Sequence, residues 1–205
     1  MAAGTAKRGA FIACPDVFRP FYLASEPRCG YRARPMRQDQ RHIVSILLQN
    51  EAGALARVAG MFSARGYNIE SLTVAPTHDP SLSRLTLVTY GSDAVVEQIV
   101  RQSRKLVEIV EIVDLAGREH LEAELVMLKV SVDSDNLQKV VDCVLRHHGQ
   151  ILDETDTTRT VQLTGAGAEV NAFLAEISAT AKVLELVRSG TAALERGVNV
   201  LAAPV

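Results

Sequence analysis

Asn50 and Gly53 stand just ahead of an amphipathic run, and Asn68 stands just after it. A helix that begins at this run presents free backbone N–H groups and a partial positive charge at its first turn, which suits a carboxylate. Gly53 has no Cβ, so a ligand can approach its backbone closely. Asn50 and Asn68 each offer a side-chain carbonyl that can accept from an ammonium group. Together these are the parts needed to grip the main-chain atoms of a free amino acid. A local role accounts for the same residues: Asn50 caps the helix and Gly53 shapes the turn. Spacing alone leaves both open.

Other chemistry is scarce. The chain has no Gly-x-Gly-x-x-Gly or P-loop pattern and no Gly-x-Ser-x-Gly elbow. His147 and His148 are adjacent, and neighbouring helical residues point about 100° apart, so they do not share one ion. Near a helix C-terminus they read as a solvated pair favoured by the dipole. No catalytic group and no metal centre are expected. Asp153, Glu154 and Asp156 fall in or near a hairpin turn, where solvation explains them. Cys14, Cys29 and Cys143 are odd in number and widely spaced, which fits a reducing compartment without structural zinc. Cys143 lies in a helical pattern and reads as packing.

The 205 residues suffice for one ordinary domain or two small ones. Hydrophobic residues make up 47% and aromatics 4%, without Trp, so the core is aliphatic. A formal charge of −2 argues against a strongly electrostatic partner such as duplex DNA. No apolar run approaches the roughly 20 residues of a membrane-spanning helix. The strands expected at the sheet centres carry Val, Leu, Thr and Ile rather than aromatic platforms for RNA bases.

Residues 1–40 differ from the rest: they hold Pro15, Pro20, Pro27 and Pro35, four of the seven prolines, and show no hydrophobic period. They are expected to be disordered. The segment is either an organellar targeting sequence, which the prolines spoil, or an untranslated stretch ahead of a start at Met36.

From residue 41 the pattern is regular. "HIVSILLQ" (42–49) reads as a strand buried on both faces. Leu55, Val58, Ala59 and Phe62 mark a helix face, closed by Gly66 in the left-handed conformation. "YNIESLTVA" (67–75) and "SRLTLVTY" (83–90) are strands. Ser92 or Asp93 caps a second helix, and "VEIVEIVDL" (107–115) is a further strand. The order repeats: "ELVMLKVSV" (124–132), a helix capped by Ser134 with Leu137, Val140, Val141, Val144 and Leu145 inward and Gly149 at its end, a hairpin, a helix marked by Phe173 and Ile177, and "KVLELVRSG" (182–190). The fold class is α+β: two ferredoxin-like βαββαβ units over 41–115 and 124–197, joined by the polar linker "AGREHLEA" (116–123), with a tail over 198–205.

The stretch "RHIVSILLQNEAGALARVAGMFSARGYNIESLTVAPTHDPSLSRLTLVTYG" (41–91) resembles the ACT domain of the small, regulatory subunits of acetolactate synthase. "RGYNIESLTVAPT" and "SRLTLVT" are its most specific segments, and the likeness runs to about residue 197. The family's usual start aligns with Met36, which favours the second reading of the leading segment and a cytoplasmic protein. The resemblance implies a non-catalytic chain. It partners a large subunit that carries thiamine diphosphate, Mg2+ and FAD, raises its activity and confers feedback inhibition by valine. It implies an effector site across a homodimer, with Asn50, Gly53, Ala54 and Leu55 on the turn side and Asn68, Ile69 and Ala75 facing them. Ala56 departs from the family, where a hydroxyl residue is common. The second unit has no glycine placed like Gly53, so no equivalent grip is expected there; it is expected to transmit or stabilise the regulated state. A stand-alone ACT-domain sensor is the alternative, separable by its lack of affinity for a thiamine-dependent large subunit. An enzyme with an unrecognised site would turn over substrate alone.

Overall fold

The computed structural model describes residues 40–64 and 66–202. The expectations for residues 1–39, including a start at Met36, lie outside the described residues.

Residues Ile43 to Leu48 of β1 (Gln40–Gln49) are apolar except Ser45, and the strand is buried from His42 to Leu48. A strand buried on both faces needs a layer on each side. One side is filled by α1 (Ala54–Ser63) and α2 (Asp93–Ser103). β2 (Ser71–Pro76), β3 (Leu82–Gly91) and β4 (Ile109–Asp114) complete the sheet in the order β2-β3-β1-β4, all antiparallel. Val44, Ile46 and Leu48 meet Leu85, Leu87, Phe62 and Ile99 beneath the helices.

The second unit repeats this arrangement. β5 (His120–Ser131), α3 (Leu137–Arg146), β6 (Gln150–Glu154), β7 (Thr158–Gly165), α4 (Gly167–Thr180) and β8 (Val183–Arg188) give the order β6-β7-β5-β8. Even the bulges correspond. The β1–β4 register shifts between Leu47 and Leu48, and the β5–β8 register shifts between Lys129 and Val130. The expected pair of ferredoxin-like units is the observed architecture. Among the described residues no helix is long and apolar enough to cross a membrane.

The linker differs from expectation. Residues 120–123 are the first third of β5, and they pair antiparallel with β9 (Ala192–Glu195), a strand that periodicity does not reveal. This two-stranded ribbon lies on the second face of the first sheet. Ile43, Val88, Leu115 and Ala193 form a small core there. Arg41 pairs with Glu122 at 2.8 Å, and Thr73 Oγ1 donates to the Ser189 carbonyl at 2.9 Å. Deleting the second unit would therefore strip apolar cover from the first sheet.

Smaller corrections follow from helix rotation and capping. Ala54 is buried where Leu55 was expected, and Leu55 is 36% exposed. Leu145, expected inward, is 64% exposed, whereas Cys143 packs in the second core as expected. Asn136, not Ser134, is the N-cap of α3. Gly66 takes φ +70 as expected, but after α3 the left-handed residue is His148 at φ +57. Gly149 is required for space: a Cβ there would lie 3.0 Å from the Gln162 carbonyl oxygen and 3.1 Å from Val144 Cγ1.

Two glycine substitutions should therefore move stability in opposite directions. Gly60 is exposed inside α1, and a Cβ there meets nothing within 4 Å. Gly60→Ala should stabilise by about 0.5–1 kcal/mol. Gly149→Ala should destabilise by roughly 1–3 kcal/mol through overpacking. Urea midpoints of the two variants check both signs.

Candidate functional site

The turn from β1 into α1 is held by its neighbours rather than by a cap. Asn50 N–H donates to the Ser81 carbonyl at 2.7 Å, and Asn50 Nδ2 donates to the Pro80 carbonyl at 3.0 Å. Asn50 is therefore not the helix cap; its amide ties the turn to the β2–β3 loop, and its side-chain oxygen remains free to accept. The N-cap is Gly53, at φ +88 and ψ −10, and no side chain caps the helix. Only glycine adopts this backbone without strain. The Ala54 amide reaches the Glu51 carbonyl at 3.2 Å, and the Arg57 amide the Gly53 carbonyl at 3.0 Å. The amides of Leu55 and Ala56 lie between them, in the first turn where no intrahelical acceptor exists.

The second unit fills the same position differently. There Asp133 Oδ1 accepts from the amides of Asp135 and Asn136, at 2.9 and 3.0 Å, on the way into α3. Asn136 Oδ1 accepts in return from the Asp133 amide at 2.9 Å. A carboxylate from the chain itself occupies the approach to α3. In the first unit the corresponding approach carries Gly53 and the exposed Glu51, and among the described residues no carboxylate accepts from its amides.

Arg57 adds a cation that periodicity does not single out. Its Nη1 lies 3.3 Å from where a Cβ on Gly53 would sit, and its Nη2 bonds Glu108 Oε1 at 2.6 Å. The guanidinium covers the turn one helical step beyond the glycine. An i, i+4 spacing from Gly53 is the signal that could have located it.

The remaining expected residues fall into separate places. Ala54 turns its side chain into the core, leaving only its backbone at the turn. Asn68 is exposed, and its carbonyl accepts from Thr89 Oγ1 at 2.7 Å. That anchors it beside the end of β3, whereas Asn50 is anchored beside its start. Seven residue steps separate Leu82 from Thr89, which is about 23 Å of strand. The two asparagines of one chain therefore cannot reach one amino acid. Ile69 packs against the first core. Ala75 pairs with Arg84 and shares the sheet face opposite α1. Leu72 and Val74, paired with the core residues Leu87 and Leu85, face the α1 side. They are 36% and 41% exposed, along an edge that among the described residues pairs with β3 alone. Alternation along β2 could have told Val74 from Ala75.

One further cluster deserves a chemical test. Cys143, His147 and Glu176 bring their ligand atoms within 4.8 Å of one another, although the sequence suggested no metal centre. Glu176 bonds His147 Nε2 at 2.8 Å and also bonds Arg146. Burial, followed by the neighbouring Glu176, pushes the Cys143 thiol up to about 11. A protonated thiol and an arginine on the carboxylate describe an ion-paired contact between α3 and α4 rather than a cation cage. Cys143 should accordingly resist iodoacetamide in the native protein at pH 8 and react once urea unfolds the chain. Site-resolved mass spectrometry checks this, and rapid native labelling of Cys143 would contradict it.

Comparisons with known proteins agree on one family across both units. Residues 44–111 match the family described as an AHAS small subunit-like ACT domain, and residues 123–197 match the small subunit of acetolactate synthase. The acetolactate synthase isozyme 3 small subunit of Salmonella typhimurium is 46% identical over 161 residues, covering 78% of this chain and 99% of that protein. The acetolactate synthase small subunit of Aquifex aeolicus is 35% identical, covering 80% and 85%. The crystal structure of the acetolactate synthase small subunit from Thermotoga maritima superposes with a TM-score of 0.70 at 35% identity, covering 78% of this chain and 99% of that one.

Proposed function

We propose that this chain, which belongs to the small-subunit family of acetolactate synthase, binds valine at the start of α1 and thereby confers feedback inhibition on the large subunit. The thiamine diphosphate, Mg2+ and FAD implied by the resemblance belong to that large subunit, whose activity this chain raises. The observation that carries the reading is the open approach to α1, set against the approach to α3 that Asp133 fills. The valine carboxylate would take the Leu55 and Ala56 amides, with Arg57 beside it, and Asn50 Oδ1 would accept from the ammonium group.

The site is completed by a second copy. β2 is an open edge with exposed Leu72 and Val74 on the α1 side. Antiparallel pairing of two β2 edges about a two-fold axis would set the start of one strand against the end of the other. The partner's Asn68 would then approach the turn at Asn50–Gly53, which its own chain's Asn68 cannot reach. Leu55 would meet the partner's β2 at the same junction. The backbone of Ala75 can serve this edge, while its side chain points to the other face.

Valine should tighten this dimer by mass action, because only the dimer encloses it. A lysine on the open edge opposes strand pairing. Val74→Lys should thus give a monomer at micromolar concentration and abolish the valine response. Sedimentation velocity with and without valine reads both, and a Val74→Lys chain that remains dimeric would remove β2 from the interface.

Gly53→Asp should yield a holoenzyme that the small subunit still activates but valine no longer inhibits. The aspartate would oppose the effector carboxylate, block its approach and draw Arg57 away. Two unit charges at ~4 Å with an effective dielectric of ~20 repel by about 4 kcal/mol, so affinity should fall between tenfold and roughly a thousandfold. Strain at φ +88 should cost the fold about 1 kcal/mol. Acetolactate formation against valine concentration, with circular dichroism as a folding check, measures the effect. Wild-type inhibition in a folded Gly53→Asp holoenzyme would place the effector elsewhere.

A further inference from the structure

A groove of about 780 Å³ lies on the sheet face opposite α1, between that sheet and the β5–β9 ribbon. Its sheet side includes Leu47, Ala75 and Leu82, and its ribbon side Leu121, Ala192 and Leu194. The volume is that of a small-molecule site. Arg84, between these walls, donates from Nε to Ser45 Oγ at 3.0 Å and from Nη2 to the Ala193 carbonyl at 3.1 Å. Both acceptors are neutral. Among the described residues no carboxylate lies within 4 Å of its guanidinium.

The nearby acids are occupied. Glu122, in the same groove, pairs with Arg41. Asp79, at the rim beside His78, accepts from the Ser81 hydroxyl and amide, which lower its pKa. Arg188 of the second unit shows the contrast: Glu124 holds it with two bonds, at 2.6 and 2.8 Å, and raises its pKa. Burial acts alone on Arg84 and lowers its pKa. A half-buried cation among apolar walls, without its own counter-ion, suits an anion that also has an apolar body.

We infer that this groove is a second ligand site, separate from the α1 turn, that takes an aliphatic carboxylate with its head on Arg84 and its chain along the ribbon. Such a ligand touches β2 and β3 of the first sheet and both strands of the ribbon at once. It therefore binds one arrangement of sheet and ribbon, and stabilises it.

The test is isothermal titration calorimetry on the full-length chain with butanoate, hexanoate, octanoate, octanol and octylamine. Octanoate should bind better than octanol, and octanol better than octylamine. Affinity should rise by about fourfold per methylene along the acid series. Arg84→Gln should lose the preference of octanoate over octanol, weakening octanoate at least tenfold, while Arg84→Lys should retain part of it. Ala192→Phe, which fills the groove without touching the cation, should weaken octanoate and octanol together. Circular dichroism confirms that each variant is folded. Octanoate binding should persist in Gly53→Asp and be unaffected by saturating valine, so failure of the effector site leaves this result standing. Absence of millimolar binding by the wild type would overturn the inference, as would octanoate binding unchanged in Arg84→Gln or in Ala192→Phe.

Discussion

Strand β5 is one continuous piece of backbone that belongs to two layers, and the arrangement of the described chain hangs on it. Its last eight residues pair with β7 and form the centre of the second sheet. Its first four pair with β9 and cover the second face of the first sheet. Because a strand cannot bend freely between two such duties, the position of one sheet constrains the other. The constraint also answers the demand that β1 makes. A strand buried on both faces requires a second layer, and the ribbon supplies it with Ala193, the Glu122–Arg41 pair and the Arg84 contact, joined by the Thr73–Ser189 bond just ahead of β9.

The two units share topology, bulge position and helix order, yet they treat the first helix differently. Entry into α3 is closed by Asp133 and Asn136, which satisfy the incoming amides from within the chain. Entry into α1 uses Gly53 in the left-handed region, no carboxylate among the described residues is bonded to its amides, and Arg57 lies beside it. A repeated fold thus provides its own control. The geometry that makes a helix N-terminus attractive to an anion is present twice, and a carboxylate of the chain is bonded beside it once, at α3.

The sheet of the first unit consequently carries the two proposed sites on opposite faces. On the α1 side lie the turn, Leu55 and the exposed Leu72 and Val74. On the ribbon side lie Ala75, Arg84 and the groove. Period-two alternation along β2 assigns neighbouring residues to opposite faces, so Val74 and Ala75 serve different surfaces although they are adjacent.

The order of elements within each βαββαβ unit, the repeat of that pattern and the turn at Asn50–Gly53 were legible in the sequence alone. Each of these is written in local spacing: the apolar run of β1, the helical period through Val58 and Phe62, and a glycine where the backbone turns left-handed. The sequence did not determine that Asn136 rather than Ser134 caps α3, or that Ala54 points inward while Leu55 and Leu145 point out. Rotation of a helix by one residue costs little in local energy and is decided by what packs against it. Nor did it reveal β9, whose four residues have no period and become a strand only by pairing with His120–Ala123. The separation of Asn50 from Asn68, the cover over Gly53 by Arg57 and the neutral hydrogen-bond acceptors of Arg84 are likewise tertiary facts. They depend on contacts between residues distant in the chain, which only the folded packing brings into register.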